Sequence, residues 1–194
     1  MRKAVTKRKT KETDIFLELN IDGKGQYEIE TEIGFFNHML ELFSKHSLMD
    51  MKLVAKGDVF VDCHHTVEDT AIVIGETIKK ALGDKSRITR YADILLPMDE
   101  TLTSVAVDLG GRPYTVFNCP VKQGRIGEMD FQTIEEFIVA LSNNLGANIH
   151  VNVLYGSNLH HIAESIFKAL ARSLRQAVKI DENETGIPST KGEI

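Results

Sequence analysis

Residues 64–82 slide onto residues 160–178 without a gap. Two adjacent histidines meet two adjacent histidines, Glu68 meets Glu164, Ala81 meets Ala177, and the apolar positions 74, 78 and 82 meet 170, 174 and 178. Self-similarity at one fixed spacing marks a repeated structural unit. The chain therefore reads as a tandem duplication, and every other element has to suit two related halves. Each copy in this 194-residue chain is too small to bury both faces of a sheet, so the halves are expected to pack as one compact unit.

The order of elements agrees. IFLELNIDGKGQYEIETEI (15–33) alternates apolar and polar residues around Gly23 and Gly25 and reads as a β-hairpin. In FFNHMLELFSKHS (35–47) the period lengthens, with Phe36, Met39, Leu40 and Phe43 on one helical face, which predicts a helix carrying His38 and His46. A strand over 51–62 and a helix from His64 to about Gly83 complete the first half. The second half replays this: two strands within 100–118 about Gly110-Gly111, a helix over 133–146, a strand over 147–156 and the helix of the second histidine pair. The expected organisation is α/β, with a first repeat over 1–92, a second over 93–180 and a polar tail over 181–194.

Composition narrows the function classes. With 42% hydrophobic residues and a net charge of −5 spread along the chain, an ordinary globular protein is expected, with no nucleic-acid footprint. The first eleven residues carry six Lys or Arg, but no apolar run follows them. They read as a solvated basic arm of a cytoplasmic protein rather than a signal peptide or membrane anchor. Cys63 and Cys119 are far apart and suggest reduced, packed thiols.

The chemistry lies in the repeated HHxxE. On a helix, residues three or four apart share a face, so Glu68 stands beside His64 or His65, whereas adjacent histidines diverge by about 100°. One motif can thus serve two metal ions, and the second copy, His160, His161 and Glu164, offers the same groups. A pseudo-twofold arrangement would let each ion draw ligands from both halves. Imidazole and carboxylate without thiolate suit Mn, Fe, Ni or Zn. A solitary HHxxE is often a pair of satisfied core histidines, but two copies at matching repeat positions favour a metal site.

Seven segments in order carry a resemblance: RKTKETDI (8–15), GFFNHML (34–40), DCHHTVED (62–69), RYADILLPMDETL (90–102), VDLGGRPY (107–114), NLHHIAESIFKALARSL (158–174) and IPSTKG (187–192). Over essentially its whole length the chain is similar to the imidazoleglycerol-phosphate dehydratases, lyases of histidine biosynthesis. The resemblance implies a duplicated two-layer β-sheet/helix unit, ribosomal protein S5 domain 2-like, in a homo-oligomeric shell of 24 subunits with active sites at interfaces. It implies two Mn(II) ions per subunit, one held by His38, His65, Glu68 and His161, the other by His64, His160, Glu164 and position 136. This chain has Glu136 where the family usually has histidine; a carboxylate is a competent Mn(II) ligand. His150 is a rival for that place, and His46 reads as structural or as a support behind a ligand.

By the same resemblance, Glu12 handles proton transfer or water at the metals, with Glu68 and Glu164 completing the catalytic carboxylates. Arg90, Arg112, Ser189 and Lys191 bind the substrate phosphate. The substrate is a small imidazole phosphate, dehydrated through a metal-bound imidazolate and a diazafulvene-like intermediate. Leu42 stands where a substrate-binding glutamine is common. Asp69 is expected to orient a ligating histidine, and Asp99 and Glu100 to open a strand. A dinuclear metallohydrolase and a noncatalytic metal-tied assembly module are the alternatives outside lyase chemistry.

Overall fold

The computed structural model describes residues 1–192 and 194. The first half runs β1 (Lys3–Lys9), β2 (Thr13–Asn20), β3 (Tyr27–Glu30), α1 (Gly34–Ser47), β4 (Asp50–Gly57) and α2 (His64–Leu82). The second runs β5 (Tyr91–Met98), β6 (Thr101–Asp108), β7 (Tyr114–Asn118), a two-residue pair β8 (Arg125–Ile126) and β9 (Met129–Asp130), α3 (Thr133–Leu145), β10 (Asn148–Tyr155) and α4 (Leu159–Ala177). The four-stranded sheets have orders β1-β2-β4-β3 and β5-β6-β10-β7. In each the last pair is parallel and the others antiparallel. The same topology twice in one α/β chain is the structural form of the sequence repeat.

Strand pairing differs from expectation in three places. β2 and β3 do not form a hairpin, because β4 lies between them, antiparallel to β2 and parallel to β3. The basic arm is not free in solvent: Lys3–Lys9 pairs with β2 over its whole length as an edge strand. Alternate lysines point to water while Thr6 is buried, a charge pattern that satisfies an edge and discourages pairing with other chains. β5, read from the sequence only as a motif, is the matching edge of the second sheet.

Each sheet keeps one apolar face. Ile15, Leu17 and Leu19 of β2, and Met51, Leu53 and Ala55 of β4, alternate inward. The helices cover that face and meet across the halves, α1 against α4 and α2 against α3. The buried apolar residues of both halves form one continuous core. Phe137 of α3 joins Phe36 of α1, with ring centroids 5.9 Å apart, to Phe167 of α4 at 4.9 Å. Among the described residues no helix is long and apolar enough to cross a membrane.

Gly75 marks a close approach of two helices. A Cβ placed there would sit 2.9 Å from the Leu145 amide nitrogen and 3.0 Å from the Leu141 carbonyl oxygen, both backbone atoms of α3. Backbone cannot swing aside, so overpacking outweighs any gain in helix propensity. Gly75→Val is expected to destabilise the protein by about 2 kcal/mol or more, read as a lower thermal midpoint; an unchanged midpoint would show that α2 and α3 yield freely.

Candidate active site

The packing of α1 on α4 assembles three ligand-type side chains. The Asn158 side chain caps α4, accepting from the backbone N–H groups of His160 at 2.9 Å and His161 at 3.4 Å. This seats both histidines in the first turn and puts Glu164 one turn below His160. Across the seam, His38 Nε2 lies 2.8 Å from Glu164 Oε1, and His160 Nε2 lies 3.0 Å from the same oxygen. Phe35 walls this corner, its ring edge-on to His160 at 5.1 Å. One ligand atom from each of His38, His160 and Glu164 falls within 4.8 Å of the others, the one such group of three among the described residues.

Glu164 is buried. Burial alone would raise its pKa, but the Lys168 ammonium, His38 and His160 outweigh that and hold the carboxyl at about 2. It is therefore an anion at neutral pH, between two imidazoles. Two imidazole nitrogens and one carboxylate oxygen form a borderline-to-hard donor set that fits Mn(II) and its neighbours.

The other expected ligands stand apart in the single chain. His64 Nε2 is 3.5 Å from Glu68 Oε2, the counterpart of His160 and Glu164 in the first repeat. Glu136 is half-buried on α3, the helix that packs on α2 as α1 packs on α4. His65 directs Nδ1 at Asp58, 3.0 Å away, and Nε2 toward Glu12 at 4.0 Å. His161 directs Nδ1 at Glu100, 2.6 Å away, and Nε2 toward Asp99 at 3.7 Å. Hydrogen bonding to Asp58 raises the pKa of His65, and hydrogen bonding to Glu100 raises that of His161. Thus within the chain His38 stands with His160 and Glu164, while His65, Glu68 and His161 have partners of their own.

His150 lies on the second sheet between the inward-facing Ile149 and Val151, near Tyr114 on the face away from the helices. Glu136, by contrast, stands on helix α3. His46 sits in the α1 helix, where burial first, then Lys168 and Arg172, lower its pKa. Asp69 does not orient a histidine: it is buried and accepts from the Arg8 guanidinium and the Thr13 hydroxyl, tying β1 and β2 to α2. Leu42 packs against the core, and both cysteines are buried and free.

A second concavity holds the cationic set. Arg90, Arg112, Ser189 and Lys191 line one cavity of about 910 Å³, with Gly110, Gly111 and Pro188. Arg90 is braced by three hydrogen bonds to two partners: Nε to Asp108 Oδ1 at 2.7 Å, Nη2 to Asp108 Oδ2 at 3.2 Å and Nη1 to the Pro188 carbonyl at 2.8 Å. A side chain at Gly110 would strike that guanidinium, since its Cβ would lie 2.7 Å from Nη2. Arg112 and Lys191 are exposed and line the same cavity, with no ion pair among the described residues, so their cations suit a polyanion such as phosphate.

Sequence reasoning passed over two groups. Lys85, almost fully buried, donates from Nζ to the Leu109 carbonyl at 2.8 Å, just ahead of the Gly110-Gly111 turn; burial pushes its pKa down. Nothing in its local sequence distinguishes it from a loop lysine. Glu100 does lie in the turn that opens β6, but it has a second role: hydrogen bonding from His161 first, then from the Asn158 backbone, lowers its pKa to about 2. The signal that could have found it is its place opposite Glu12: each lies in the turn between the first two strands of its repeat.

Comparison with known proteins gives this geometry its family. The family model described as imidazoleglycerol-phosphate dehydratase matches residues 31–174. The Thermoanaerobacter pseudethanolicus protein of that name is 56% identical over 192 residues, covering 99% of each chain. That of Azorhizobium caulinodans is 55% identical over 193 residues, covering 99% of this chain and 98% of its own. Among solved structures, the imidazoleglycerol-phosphate dehydratase of Staphylococcus aureus superposes with a TM-score of 0.84 at 36% identity, over 92% of this chain and 99% of that one. The IGPD of Pyrococcus furiosus superposes at 0.85 and 35% identity, over 97% and 100%. With repeat, sheet topology and full-length similarity in agreement, the chain belongs to the imidazoleglycerol-phosphate dehydratase family of hydro-lyases.

Proposed function

We propose that this chain dehydrates imidazoleglycerol phosphate to imidazoleacetol phosphate in histidine biosynthesis, using two Mn(II) ions per subunit. The observation that carries the reading is the convergence of His38, His160 and Glu164 in a chain of this family. His64, Glu68 and Glu136 are the counterparts of those three residues on α2 and α3, and His65 and His161 complete the ligands. Mn(II) bound there supplies Lewis acidity and a template for the substrate's imidazole ring.

The protein's own groups do the rest. Arg112 and Lys191, with Ser189 and the braced Arg90, hold the phosphate and fix the distance from it to the ring. Glu12, on the β1–β2 turn beside His65, moves the C2 proton and handles the departing C3 hydroxyl, which leaves as water. Glu68 and Glu164 keep the flanking imidazoles in register. Two features support a homo-oligomer, of 24 subunits by the family resemblance, with sites closed between copies. The ligand groups stand apart in one chain, and Val59, Phe60 and Val61 beside His64 are exposed apolar side chains of the kind that mark an interface.

The test is to strip the protein, restore Mn(II), count ions per chain and follow ketone formation from imidazoleglycerol phosphate. About two ions per chain with turnover restored is the expected result. Metal uptake without imidazoleacetol phosphate, in assembled protein, would overturn the reading; release of inorganic phosphate instead would point to a metallohydrolase.

A further inference from the structure

Glu100 divides its carboxylate between two tasks. Oε1 accepts from the backbone N–H of Asn158 at 2.8 Å, that of Ser157 at 3.3 Å and the Thr101 hydroxyl at 3.1 Å. Oε2 takes Nδ1 of His161 at 2.6 Å. The first oxygen thus clamps the β5–β6 turn to the turn that opens α4. The two turns are pressed together: a Cβ on Gly156 would lie 2.5 Å from the Thr101 hydroxyl oxygen. The second oxygen faces one nitrogen of an imidazole whose other nitrogen, Nε2, has the exposed Asp99 carboxylate 3.7 Å away, beyond hydrogen-bond distance.

We infer that Glu100 is a positioning residue that selects the His161 tautomer with the proton on Nδ1, leaving the Nε2 lone pair free as a ligand atom. The inference rests on the metal-dependent reading above. An ionised carboxylate only accepts, so the imidazole must donate to it from Nδ1, and the neutral ring then has its acceptor at Nε2. Carboxylates that hold the far nitrogen of a ligating histidine orient the ring and raise its basicity.

The first repeat carries the same device built from another element. His65, the repeat counterpart of His161, directs Nδ1 at both Asp58 oxygens, at 3.0 and 3.2 Å, from the loop after β4. Sequence sliding does not pair Asp58 with Glu100. Two unrelated loops thus deliver a carboxylate to the same nitrogen of equivalent histidines.

Glu100→Gln separates the two tasks. The amide oxygen can still accept from Ser157 and Asn158, so the clamp survives, but the amide NH₂ now faces Nδ1. Donor facing donor forces the proton to Nε2, which blocks the ligand atom. The expected result is a thermal midpoint close to wild type, with Mn(II) affinity, measured by chelator competition, about 10- to 100-fold weaker. In the metal-free variant the ¹⁵N shifts of His161 move from an Nδ1–H to an Nε2–H tautomer. Glu100→Ala loses the clamp as well and lowers the midpoint. If Glu100→Gln binds Mn(II) like wild type with the His161 tautomer unchanged, Glu100 is a turn anchor and the inference fails. If the wild-type protein itself takes up no Mn(II), the dehydratase reading fails instead, and the tautomer measured without metal still decides the role of Glu100.

Discussion

Glu164→Ala is expected to abolish turnover, lowering kcat/KM by at least about 1,000-fold, or about 4 kcal/mol of transition-state stabilisation. It should also reduce the Mn(II) bound per chain. Glu164 is the one anion between His38 and His160, so its loss removes both the ligand oxygen and the charge that offsets a divalent cation. It also strands the Lys168 ammonium, which pairs with Oε2 at 2.5 Å and is itself largely buried. An uncompensated buried cation is costly, so the metal-free protein should lose stability too.

Glu164→Gln keeps the shape and removes the charge, which separates packing from ligation. It also tests the pH response. The carboxyl is held at about 2 in the folded protein, below its ordinary 4.5. The stability it contributes is therefore fully present above about 4.5 and is lost as pH falls toward about 2. Acid unfolding of metal-free Glu164→Gln should lack that component. Full Mn(II) occupancy and activity in Glu164→Ala would remove the His38–His160–Glu164 group from the mechanism.

The second large effect is on stability. Phe137→Ala should cost about 3–5 kcal/mol, the range for deleting a fully buried aromatic ring. At about 2–4 °C per kcal/mol for a chain of this size, the thermal midpoint should fall by about 10 °C. Phe137 is fully buried and touches rings from α1 and α4. Those two helices carry His38 on one side and His160 and Glu164 on the other. A cavity at this junction loosens the seam that sets the ligand spacing, so Mn(II) affinity should fall with stability although no ligand is changed. Weaker metal binding is the informative readout: a lower midpoint with unchanged affinity would mean the ligand corner is held by the helix caps alone.

Read alone, the chain specifies whatever short-range geometry encodes. Helical spacing sets His160 beside Glu164 and His64 beside Glu68, because residues four apart share a face in any α-helix. The matched motifs likewise announce two related halves. Tertiary structure decided what depends on distant residues. Strands β2 and β3 look like a hairpin because a glycine-bearing turn lies between alternating runs, yet β4 inserts between them; the parallel β3–β4 pairing is set by a helical crossover that no local pattern displays. The basic start looks solvated until β2 offers it an edge. Which histidine meets which carboxylate follows from α1 packing on α4, and Asp69, which sits next to a ligand motif, turns instead to Arg8. Glu100 and Asp58 reach equivalent histidines from non-equivalent loops. Side-chain direction there depends on how two loops press together, a contact between segments far apart in the chain that only the folded arrangement brings about.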